Sequence, residues 1–77
     1  MARYRIHRAG KDVVITKTEG EQVEQVRFPE ELFWEILHEV KTVDDAIGYP
    51  VEIETSASKV ELPYADFLAL EAHLKAN

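Results

Sequence analysis

The side chains able to do chemistry in this 77-residue chain are few and scattered. His7, His38 and His73 stand far apart, and there is no cysteine. Ser56 and Ser58 fall in a short polar stretch with no histidine near in sequence, so no nucleophile–base pair is visible. The glycines stand alone at 10, 20 and 48, which argues against a glycine-rich phosphate cradle. Glu35-x-x-His38 has the i, i+3 spacing used by carboxylate-bridged metal helices, with Glu31 and Glu39 nearby. It occurs once, and a buried metal cage needs ligands from several helices. The expectation is a protein that is not an enzyme and holds neither cofactor nor metal.

Binding chemistry is better represented. Trp34 lies about 100° round a helix from Phe33, at the margin of an apolar stripe, with His38 one turn on. Aromatic residues at such margins anchor interfaces, although they also cap the edge of a core. Arg3, Arg5 and His7 alternate with Ala2, Tyr4 and Ile6, which places the cations on one face of a strand. Lys17, expected on the neighbouring strand, would extend them into a basic stripe able to bind phosphates. Tyr4 and Tyr49 would offer stacking surface, but Tyr4 falls on the inward parity. The candidate interface residues are therefore Trp34, His38, Arg3, Arg5 and Lys17.

Charge divides along the chain. Residues 1–18 carry five basic groups against Asp12 alone, a net +4, whereas residues 19–77 carry four against 14 acids, a net −10. The sum is −6. A basic edge on an acidic body suits two different partners or two copies of the same chain. It also suits strands and helices that keep charge outside for solubility alone. No ribonucleoprotein consensus, KH loop or zinc-finger spacing is present. No apolar run is long enough for a signal peptide or a membrane span, and with no cysteine the expected location is the cytoplasm.

The elements that must position these groups follow from hydrophobic period. Residues 2–8 alternate as a half-buried strand, Ala9-Gly10-Lys11-Asp12 turns, and the β-branched run Val13–Thr18 forms a second strand. A third strand spans Val23 to Phe28; Val26 and Phe28 share a face that Val23 does not, which suggests a bulge or an uncertain register. Pro29 opens a helix with Glu30 and Glu31 in its first turn and Lys41 at its end. Leu32, Phe33, Ile36, Leu37 and Val40 make its apolar stripe. Thr42 and Asp45 have capping-box spacing, and Gly48 is the expected stop before Tyr49-Pro50. Val51–Glu54 and Lys59–Leu62 form a hairpin, after which Pro63 opens a second helix with Phe67, Leu70 and Leu74 inward.

A shift of 34 positions aligns Val26 with Val60, Pro29 with Pro63, Phe33 with Phe67 and Lys41 with Lys75. The pattern fits an internal ββα duplication, and equally the residue types that any strand–proline–helix junction demands. Leu32 and Leu37 align with Asp66 and Glu71, so the first helix is expected to be the more buried and the second to lie nearer a sheet edge. The predicted fold is a single two-layer α+β domain over residues 1–77: one antiparallel sheet of five strands in βββαββα order, both helices on one face. Arg3, Arg5, Glu52, Glu54 and Glu61 would share its open face. The leading functional expectation is a non-enzymatic interaction module, binding another protein or forming a homodimer. The alternatives are a nucleic-acid-binding regulator using the basic N-terminal strand, or an acidic decoy occupying a partner's nucleic-acid site.

Overall fold

The computed structural model describes residues 1–42 and 49–76. The elements run β1 (Arg3–Ala9), β2 (Asp12–Glu19), β3 (Gln22–Pro29), α1 (Glu30–Thr42), β4 (Val51–Glu54), β5 (Lys59–Leu62) and α2 (Tyr64–Ala76). The described elements follow the βββαββα order read from the hydrophobic period in part, with the strands divided between two sheets. Most of the proposed Thr42–Asp45 capping box and Gly48 lie outside the described residues. Thr42 itself donates its hydroxyl backward to the carbonyls of His38 (2.9 Å) and Glu39 (3.2 Å).

Two-residue loops join the first three strands. Gly10 and Gly20 take φ of 65° and 60°, and no other described residue has positive φ. A glycine at the first central position followed by an ordinary residue is the type II′ pattern, whose twist matches that of the strands. The loops fix both registers: Ala9 faces Asp12, and Glu19 faces Gln22. Pairing of β3 with β2 is continuous from Gln22 to Pro29, so the expected bulge at Val23 is absent. Val23 instead points to solvent, 59% exposed, opposite Thr18.

The five strands do not form one sheet. β1-β2-β3 is a three-stranded antiparallel sheet and β4-β5 a separate hairpin, with β5 alongside β3. Strands β4 and β5 are four residues each, and only alternate residues of a strand offer ladder groups to a given side, so about two per strand would reach a neighbour. That gain is small against turning Val51, Ile53, Val60 and Leu62 into the core, where all are buried. Glu52, Glu54 and Glu61 are exposed on this hairpin, which is not part of the sheet that carries Arg3 and Arg5.

One core holds the domain together. It joins Ile6, Val13, Ile15, Val26 and Phe28 from the sheet, the four hairpin residues, Phe33 and Leu37 from α1, and Phe67, Leu70 and Leu74 from α2. The Phe33 and Phe67 rings meet at 5.2 Å, inclined by 38°. Helix α1 packs on β2 and β3, and α2 on the edge strand β1. Two expectations change. Leu32 is 40% exposed, because it lies roughly 120° round the helix from the Phe33–Leu37 direction, and Trp34 packs against the core instead. Helix α1 is also not the more buried: α2 buries three side chains and α1 two. Both prolines precede their helices, which begin at Glu30 and Tyr64, and Pro63 accepts a hydrogen bond from the Phe67 amide (3.0 Å).

Candidate functional site

Strand pleating sorts the charges of β1–β3 onto two faces. The inner face carries Tyr4, Ile6 and Arg8, then Val13, Ile15 and Lys17, then Glu24, Val26 and Phe28. The outer face is a grid of cross-strand rows: Arg3–Thr18–Val23, Arg5–Thr16–Gln25, His7–Val14–Arg27 and Ala9–Asp12–Pro29. Both helices pack on the inner face, which leaves this grid uncovered by the described elements.

The register corrects one expected member of the basic stripe. Lys17 stands opposite Tyr4 and Glu24, so it projects to the other side of the sheet from Arg3 and Arg5. Arg27, not expected from the sequence reading, shares the outer face. Its guanidinium donates to Asp12 (2.8 Å) and to the Ala9 carbonyl (3.3 Å), which ties it to that end of the grid. Val14, only 8% exposed, lies between His7 and Arg27. The Gln25 amide donates to the Thr16 hydroxyl at 3.2 Å. Arg3 and Arg5 are exposed and make no ion pair among the described residues.

Trp34 and His38 belong to a second surface, on the solvent side of α1. With Glu31, Leu32, Glu35, Ile36 and Glu39 they border a depression of about 760 Å³. Every bordering residue comes from one convex helix, so the depression is an open surface that cannot enclose a small molecule. Trp34 is half-buried with its ring edge-on to Phe33 (5.2 Å, 85°). Its indole N–H donates to Glu30 Oε2 at 3.0 Å. Its polar edge is therefore already satisfied within the domain, while His38 is exposed.

Glu30 also receives Arg8, whose Nε and Nη2 donate to its two carboxylate oxygens at 2.8 and 3.2 Å. Arg8 Nη1 donates to the Leu74 carbonyl at 3.0 Å. One side chain thus ties β1 to the first turn of α1 and the last turn of α2. Hydrogen bonding from Arg8, then from Trp34, holds the Glu30 carboxyl below its ordinary pKa. The sequence signal for this clamp is Arg8 on the inward parity of β1, with Glu30 and Trp34 at i, i+4. Glu71 accepts from Lys41 (2.8 Å) and Lys75 (2.9 Å), and Lys41, then Lys75, lowers its pKa likewise.

The candidate residues consequently fall into three places: Arg3 and Arg5 on the open sheet face, Trp34 and His38 on α1, and Lys17 on the inner side of β2. Among the described residues no group of three His, Asp or Glu side chains is arranged to hold a metal ion. No helix there is long and apolar enough to cross a membrane. Comparison with protein-family models, with curated proteins and with solved structures finds no match.

Proposed function

We propose that this chain is a non-enzymatic interaction module that docks an acidic protein surface, from a partner or a second copy, on the open face of β1–β3. The observation that supports it is a pair of exposed arginines, Arg3 and Arg5, without ion pairs among the described residues, beside Arg27 and His7 on a sheet face that no described element covers. The rest of the chain is strongly acidic, so this face is the local exception. Guanidinium groups suit bidentate pairing with carboxylates, and a regular sheet presents them at fixed spacing. A ββα duplication within the module belongs to the same proposal, supported by the meeting of the equivalent Phe33 and Phe67 rings.

A nucleic-acid partner is the second reading, because the same arginines fit phosphate. It is weaker on this face: no tyrosine, phenylalanine or tryptophan joins the outer grid, since Tyr4 shares the inner parity with Lys17. Chemical-shift mapping of the full chain with a deca-glutamate peptide, and with a single-stranded DNA decamer, separates the two. Peptide-induced shifts confined to β1–β3 and lost in R3Q/R5Q support protein docking. Shifts elsewhere, or none, reject this face as the site. Binding by the DNA decamer alone, weakened by R3Q/R5Q and by salt, replaces the first reading with the second.

A further inference from the structure

We propose that the occupant of the open sheet face is a second copy of this chain, docked through the solvent side of its α1, so that copies associate head to tail. The inference rests on the sheet face being a protein-docking surface and adds the identity of what docks there.

Charge complementarity carries it. Glu31, Glu35 and Glu39 are exposed and, like Arg3 and Arg5, make no ion pair among the described residues. The other acid of the same helix, Glu30, is taken up by Arg8 and Trp34. The three glutamates recur at i, i+4 and i+8, so they rise about 6 Å apart along α1. Arg3, Arg5 and His7 recur at i, i+2 and i+4, so they stand about 6.7 Å apart along β1. Arg3 and Arg5 can pair with two of the glutamates at nearly equal spacing, and the His7 imidazole can hydrogen-bond the third, without distorting either element. Each row also has an exposed aliphatic side chain on its surface: Val23, in the row of Arg3, is 59% exposed, and Leu32, beside Glu31, is 40% exposed.

The placement of the two surfaces decides the symmetry. Phe33 and Leu37 point from α1 to the inner face of the sheet, whereas the glutamate row points away from it and the arginine row leaves from the opposite side. The rows cannot meet within one molecule. A contact between different patches is heterologous, so it propagates until it closes into a ring or continues as a chain.

The test uses the full chain and two neutralised variants, R3Q/R5Q and E31Q/E35Q/E39Q. All altered side chains are exposed, so both variants keep the wild-type melting temperature. Sedimentation equilibrium in roughly 50 mM salt, up to about 1 mM protein, reads the association. Wild type is expected to exceed monomer mass with rising concentration, and each variant to associate about tenfold more weakly or less. An equimolar mixture of the two retains one intact contact, between the helix face of the first variant and the sheet face of the second. It is expected to reach dimer mass and stop there. A wild type that stays monomeric overturns the proposal. So does a mixture no more associated than its components, because a sheet-to-sheet dimer cannot be rescued by mixing. If deca-glutamate still maps to β1–β3 in that event, the docking surface stands and only the second copy is excluded as its partner.

Discussion

Helices α1 and α2 follow the same strand–proline junction and have the same length, yet the fold uses them differently. Helix α2 lies over the edge strand β1 and buries Phe67, Leu70 and Leu74. Helix α1 lies over β2 and β3, buries Phe33 and Leu37, and turns Leu32 and three glutamates to solvent. Arg8 crosses between them, pairing with the Glu30 side chain of α1 and with the Leu74 carbonyl of α2. The difference teaches where stability and recognition reside. The second helix mainly closes the core, whereas the first closes the core and also presents a charged face.

The sharpest way to break that division is to remove its centre. Phe33→Ala and Phe67→Ala each delete a fully buried ring, at a cost of about 3–5 kcal/mol. A domain of this length holds only about 4–12 kcal/mol in total, so urea titration should find the unfolding midpoint of either variant lowered by a large fraction. Because the rings touch, the double variant should lose less than the sum of the single losses.

Leu74→Ala and Leu32→Ala separate the helices directly. The first removes a fully buried side chain and should cost about 2–5 kcal/mol; the second removes an exposed one and should stay within about 0.5 kcal/mol. Equal losses in chemical denaturation would contradict the assignment of Leu32 to the docking side. Trp34→Ala should fall between them, near 2 kcal/mol, since the half-buried indole packs edge-on against Phe33.

Acid should act on both helices through Glu30 and Glu71. Each carboxyl has a folded pKa below its ordinary value, held down first by Arg8 and first by Lys41 respectively. The stabilisation from such a group is complete above the unfolded pKa, near 4.3, and disappears as pH falls through the folded value. Urea midpoints measured from pH 7 downward should therefore decline on the acid side. The variants E30Q and E71Q should each flatten part of that decline.

Much of the architecture is legible in the residue order. Period-2 alternation places Ile6 inward and Arg3, Arg5 and His7 outward, and the structure agrees. The two prolines mark both strand–helix junctions within one residue. The side on which Lys17 lies is also encoded, because a two-residue Gly10–Lys11 loop sets Ala9 against Asp12 and hence Tyr4 against Lys17. Adjacency of strands alone does not carry that information; register does. Arg3, Arg5 and His7 of the outer face are therefore readable. Arg27 enters it only by counting across two strands.

What the sequence by itself determined is the described strands and helices and, for most of them, the face that must avoid water. Those properties depend on the hydrophobic period and turn chemistry of neighbouring residues, and they need no distant partner. Only the tertiary structure decided that β4-β5 leaves the sheet, that α2 is the deeper helix, and that Arg8 reaches both Glu30 and the Leu74 carbonyl. These outcomes depend on how the apolar faces of the seven described elements compete for one small core around Phe33 and Phe67, and on contacts between residues up to 66 positions apart.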